Sequence, residues 1–156
     1  MFLGLDLGTS GVKAVLIGDD QAVIATGHAP LSVSNPHPGR SEQAPADWIA
    51  ACRIAIAGLG VPLTRVAGIG LSGQMHGAVC VGKAGQVLRP AILWNDGRAH
   101  AEAAELDADP RFRTVTGNIV FAGFTAPKLV WMSRHEPEFF ARTAQGCCPR
   151  PICGYG

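Results

Sequence analysis

The sequence predicts an α/β domain built on a mixed β-sheet, and three features carry that reading. Residues 2–29 read as three short strands in succession, joined by a glycine turn at 8–11 and by Gly18, Asp19 and Asp20. Such a run makes an antiparallel meander at the N-terminus, which an ordinary dinucleotide-binding βαβ unit lacks. A helical repeat then precedes a fourth strand over 66–71 that is apolar enough to be central and parallel. Further short strands and a series of helices follow, in the order expected of a mixed sheet with flanking helices.

The elements can be justified in turn. Residues 2–6 and 12–17 are apolar runs bounded by turn residues, and 22–29 is a third such run. Residues 30–45 are rich in proline, serine and glycine and read as an ordered loop. In 46–59, Trp48, Ile49, Cys52, Ile56 and Leu59 recur at helical spacing and predict one buried face, stopped by Gly58 and Gly60. Residues 78–81 and 87–92 form a strand pair around a turn at 83–86, with a loop at 93–97 at a strand end. Helices are predicted over 98–106, 110–115, 126–134 and 137–142, with Thr125 as a cap and Pro137 as an initiator. Residues 117–123 read as loop.

Bulk properties narrow the class. The chain has 156 residues, 47% hydrophobic and 16% charged, with a formal net charge of +1. That is a folded globule with no electrostatic case for nucleic acid or for a membrane surface. There is no basic n-region and no apolar run of membrane-spanning length, so a cytoplasmic location is expected. The five cysteines, at 52, 80, 147, 148 and 153, are odd in number and lack metal-ligand spacing, so neither a disulfide framework nor a structural zinc is expected.

The segment Asp6-Leu7-Gly8-Thr9-Ser10-Gly11-Val12-Lys13 joins two strands. It is neither a P-loop nor a Rossmann fingerprint, because both require a following helix. A strand–turn–strand can still hold phosphate, since glycines let successive N–H groups point one way. Thr9 and Ser10 add hydroxyls, and Asp6 at the strand end can hold Mg²⁺ directly or through water. Spacing alone leaves two readings open: a phosphate turn, or a tight hairpin with an exposed acid and a solvated Lys13.

Other segments bear on that choice. Ser41-Glu42-Gln43 follows a Pro-His-Pro turn. Leu71-Ser72-Gly73-Gln74-Met75-His76-Gly77 closes the fourth strand, and Leu88-Arg89-Pro90-Ala91-Ile92-Leu93-Trp94-Asn95-Asp96-Gly97-Arg98 leads into the next helix. Thr116-Gly117-Asn118 and Gly123-Phe124-Thr125-Ala126-Pro127-Lys128-Leu129 come later. Together with the glycine turn, these resemble, over residues 1–143, the FGGY carbohydrate kinases of the actin-like ATPase superfamily, and within them the xylulokinase branch.

The resemblance implies an actin-like, ribonuclease H-like fold and an ATP- and Mg²⁺-dependent transfer of phosphate to the 5-hydroxyl of D-xylulose. It implies that Gly8, Thr9, Ser10, Gly11 and Lys13 serve the phosphates of ATP, with Asp6 on the metal side and important for activity. Met75 and His76 are implied as the family's sugar-binding pair, with Gln74 beside them. Trp94, Asn95 and Asp96 follow an apolar strand, where α/β sites form, and are expected to wall off the sugar, bind its hydroxyls or orient neighbours. Arg98 has a second reading as a structural partner of Asp96, and His37, Ser41 and Glu42 lie either near the cleft or in a purely local turn. The resemblance also places the catalytic base in a second domain, beyond this sequence, so residues 1–143 alone are expected to be inactive. A kinase for another ketose or polyol, and a folded non-catalytic remnant that self-associates as a homodimer, are the alternatives.

Residues 144–156 depart from the family pattern. A shifted reading frame accounts for this, since Leu-Leu codons read one base off give Cys-Cys; a divergent or engineered tail is the other reading. Poor packing is expected there.

Overall fold

The computed structural model describes residues 1–147. They form two compact units. The first comprises Met1–Val33 and Pro45–Gln74; the second comprises Ser34–Ala44 and the described residues from Met75 onward.

In the first unit, strands β1 (Phe2–Leu7), β2 (Gly11–Ile17), β3 (Val23–Pro30) and β5 (Gly68–Gly73) form a four-stranded sheet in the order β3-β2-β1-β5. The β1–β2 and β2–β3 pairs are antiparallel and β1–β5 is parallel, so the sheet is mixed as the sequence indicates. Helix α1 (Pro45–Ala57) packs on β2 and β3. Alternation selects the covered face: Val12, Ala14 and Leu16 are buried, while Lys13 between them is exposed.

Two expectations change. The fourth strand is parallel, but it lies at the edge of this sheet, with Ile69 exposed. An apolar, glycine-rich run reads the same at an edge as in the centre, and only pairing separates the two. The buried stripe of α1 is Trp48, Ala51, Cys52 and Ala55, with Ile49 and Ile56 only half-buried. At Ala55 the backbone of β3 comes very close. A Cβ added at Gly27 would overlap the carbonyl oxygen of Ala55.

In the second unit, β4 (Glu42–Gln43) pairs with β7 (Ala91–Ile92), and β6 (Val79–Val81) pairs with β8 (Gln145–Cys147). Residues 145–147 pair as strand, with Gln145 and Gly146 exposed and Cys147 half-buried; the rest of the stretch expected to pack poorly, 148–156, lies outside the described residues. Helices α2 (His100–Ala108), α3 (Pro110–Thr116), α4 (Thr125–His135) and α5 (Pro137–Arg142) complete the unit. Its core joins Ala78, Cys80, Ile92, Ala99, Trp131 and Met132. Asp109 caps α3 by accepting from the amide of Arg111. Thr125 is not the cap of α4. Phe124 holds that position, and the Thr125 hydroxyl donates to the carbonyl of Gly77 at 3.3 Å instead. Among the described residues no helix is long and apolar enough to cross a membrane.

Gly27→Ala is expected to destabilise the chain by about 1–3 kcal/mol through overpacking against α1, measured as a lower urea midpoint with an unchanged slope.

Candidate functional site

The first unit carries the glycine turn. Asp6 lies near the end of β1, where its register partners are Lys13 on β2 and Ser72 on β5. Gly4 pairs with Val15 and Gly70 in the same way. The pleat puts this set on the sheet face opposite Leu3 and Leu7. They line, with Leu5 and Leu71, a concavity of about 320 Å³. Glycine at 4 and 70 leaves its floor bare, and a Cβ at Gly70 would meet no atom within 4 Å.

The turn itself is closed by the Gly8 amide donating to the Gly11 carbonyl at 2.9 Å. Gly11 must be glycine, because a Cβ there would come within 2.7 Å of the Ala29 carbonyl oxygen. Ser10 is exposed at the tip, and its carbonyl accepts from Leu31. Thr9 donates its hydroxyl to the side-chain oxygen of Gln74 at 2.9 Å, and the Gln74 amide donates to Leu7 at 2.8 Å. The structure thus places Gln74 beside the glycine turn within the first unit, while Met75 and His76 belong to the second.

The donor set fits a magnesium-bound phosphate chain. A hard cation takes oxygen ligands such as the exposed carboxylate of Asp6. An ammonium and hydroxyls from Lys13, Ser72 and Ser10 suit phosphate oxygens.

In the second unit, Met75 is 64% exposed and Trp94 is 50% exposed. His76 has a left-handed backbone, with φ of 63°. Its ring lies against Phe124 with centroids 4.6 Å apart. Asn95 is exposed beside Trp94.

Asp96 stands apart from these. Its side chain is fully buried, and both oxygens are engaged. Oδ2 accepts from the Ser41 amide at 2.6 Å and from Nη2 of Arg98 at 2.7 Å. Oδ1 accepts from the Arg98 amide at 2.9 Å and from its Nε at 2.8 Å. The cluster extends to Glu42, which accepts from Arg98 at 2.7 Å and Arg89 at 2.5 Å, and on to Glu136, 2.9 Å from Arg89. The Arg98 guanidinium also lies 5.0 Å from the ring centroid of Trp131. This is the structural pairing that the sequence offered as the second reading for Arg98. Glu42 sits inside the same cluster, and His37 is exposed on its loop.

Burial pushes the Asp96 carboxyl up, but hydrogen bonds from Arg98 and the Ser41 amide, with the guanidinium charge, outweigh it and hold the group below the usual carboxylate value. The cluster pins the turn that carries Trp94 and Asn95. Asp96 donates its amide to Leu93, Leu93 donates to Ser41, and Gly97 donates to Gly39.

Sequence reading missed Lys128, which is fully buried on α4. Its signal was a lysine three and four residues before Trp131 and Met132, on the apolar stripe of the helix.

The family model for the N-terminal domain of the FGGY family of carbohydrate kinases matches residues 1–150. The chain belongs to this family. It is 48% identical over 153 residues to the xylulose kinase of Klebsiella pneumoniae, covering 96% of this chain and 32% of that protein. Among solved structures it is similar to a xyloylose kinase from Brucella ovis, at 58% identity and a TM-score of 0.93, covering 96% of this chain and 32% of that one. The xylulose kinase of Rhodospirillum rubrum follows at 34% identity and a TM-score of 0.90, covering 97% and 33%. The chain spans about a third of the length of these FGGY relatives. The α/β fold with a mixed sheet, and homology to xylulose kinases, are therefore as the motifs indicated.

Asp96→Ala is expected to cost about 3–5 kcal/mol, since it breaks a buried ion pair and strips two hydrogen bonds from the Arg98 guanidinium. A carboxyl lowered in the folded state stabilises above its unfolded pKa, about 3.9, and that stabilisation is lost as pH falls through the folded value. Urea unfolding of the wild-type chain should weaken below about pH 4, and the Asp96→Ala chain should show a shallower acid limb.

Proposed function

We propose that this chain is the sugar- and phosphate-side domain of an ATP-dependent ketose kinase, whose substrate is D-xylulose phosphorylated at the 5-hydroxyl. The observation that carries the reading is the placement of Asp6. An exposed carboxylate one residue from the end of β1 sits over a glycine-floored concavity, flanked in register by Lys13 and Ser72 and separated by Leu7 alone from the Gly8–Gly11 turn.

In this reading Asp6 holds Mg²⁺, and Lys13 with the hydroxyls of Thr9 and Ser10 orients the phosphates. Bound Mg²⁺–ATP supplies the phosphoryl group and offsets the charge on its oxygens. Gly4, Gly8, Gly11 and Gly70 let the backbone approach those oxygens closely. Met75 and Trp94 supply apolar walls for the ketose, while His76 and Asn95 supply hydrogen bonds to its hydroxyls. Asp96 acts on the sugar indirectly, by fixing the turn from which Trp94 and Asn95 project. No carboxylate of this chain is assigned as the base that takes the hydroxyl proton; we place that group in a second domain. A cytoplasmic setting accords with the supply of ATP.

Calorimetry of the chain with millimolar D-xylulose is expected to give saturable heat, with binding weakened about tenfold in His76→Ala, the worth of about one hydrogen bond. An absence of heat would favour a folded remnant, and stronger heat with another ketose or a polyol would reassign the substrate. Gly70→Val should leave the unfolding midpoint within about 0.5 kcal/mol yet abolish Mg²⁺–ATP binding by filling the concavity. A coupled assay is expected to show no turnover by this chain alone; full turnover would overturn the placement of the base.

A further inference from the structure

The backbone of His76 is held in a conformation that L-residues rarely adopt, with φ of 63°. Such geometry persists only where its surroundings enforce it. The enforcing element is the first turn and a half of α4. The Nζ of Lys128, fully buried, donates to the carbonyl of His76 at 2.7 Å and to that of Gly123 at 2.6 Å. One turn earlier, Thr125 donates to the next carbonyl, that of Gly77, at 3.3 Å. Residues three apart share a helix face, so α4 grips two consecutive carbonyls with adjacent side chains. The residue before the helix, Phe124, lies against the imidazole and is itself backed by Phe121, with ring centroids 4.1 Å apart. Backbone and ring of His76 are thus set from the same short stretch of chain.

A buried lysine is a costly way to hold a loop. An ammonium has three donors and a long reach, and charge-assisted bonds to carbonyls are the strong kind. What it holds is a single strained residue beside the exposed Met75. We propose that Lys128 is the positioning residue of the Met75–His76 pair, holding His76 in the left-handed conformation so that the imidazole is presented ready-made to a polyhydroxylated ligand. The positioning role rests on the reading of Met75 and His76 as sugar-facing; the conformational latch does not.

The two parts separate in one experiment on the 156-residue chain. A residue with positive φ gives a strong NOE between its own amide and Cα protons. That signal is expected at His76 in the wild-type chain and should be lost in Lys128→Met. D-xylulose affinity by calorimetry should fall about tenfold, because the competent shape becomes a minor population. The wild-type chain should also show a scalar coupling from the Lys128 Nζ to the His76 carbonyl carbon, which needs no variant to fold. Absence of that coupling, or persistence of the NOE in Lys128→Met, would overturn the latch. A lost NOE with unchanged sugar affinity would overturn the positioning role. A lost NOE with no sugar heat from the wild-type chain would support the latch and overturn the sugar reading beneath it.

Discussion

The second unit turns on one buried carboxylate. Asp96 takes four hydrogen bonds from two residues, Ser41 and Arg98, that lie on different segments of the unit. A charge removed from water is tolerated only when paired and hydrogen-bonded, so every segment that serves Asp96 is constrained by it. Arg98 in turn engages Glu42 and lies over Trp131 of α4; Glu42 engages Arg89, which reaches Glu136 at the start of α5. The loop 34–44, the turn after β7 and the C-terminal end of α4 are thereby fixed to one another by charge, beside the apolar core that includes Ile92, Trp131 and Met132.

That arrangement explains how exposed aromatic and polar residues can be precisely placed without being buried. Trp94 and Asn95 project from a turn whose flanking residues, Leu93 and Asp96, are both buried. Met75 and His76 obey the same logic with α4 as the support, through Lys128, Thr125 and Phe124. In both places the residues suited to touch a ligand are held by partners behind them, which is how a site keeps its geometry while staying accessible.

The first unit reaches a similar end by other means. Its sheet has small residues where backbone must come close. Gly27 meets α1, Gly11 meets β3, and Gly4 with Gly70 leaves the face opposite α1 bare. The face that α1 covers is filled by alternate apolar residues, and among the described residues the opposite face presents Asp6 and Lys13. The phosphate site proposed at the end of β1 depends on that separation of faces, since a strand places neighbours on opposite sides.

Much of this was legible in the residues alone. The three N-terminal strands, the helix after the proline-rich loop and the later helices follow from local periodicity and turn chemistry, which are properties of neighbours in sequence. The family was legible because its motifs are short and ordered along the chain. The hydrogen-bond partners of Asp96, Gln74 and Lys128 were not. A carboxylate beside two candidate sugar ligands reads as a third; only the tertiary fold turns it inward to Arg98 and Ser41, the latter 55 residues away. Gln74 reads with Met75 and His76, yet it bonds Thr9, 65 residues earlier. Lys128 carried no assigned role in the sequence; folding brings the His76 carbonyl to its ammonium, 52 residues away. Local pattern determined which segments form and which chemistry they carry. Which partner each polar group meets was decided by long-range packing, because hydrogen bonds and ion pairs depend on distance in space, and spacing along the chain does not report it.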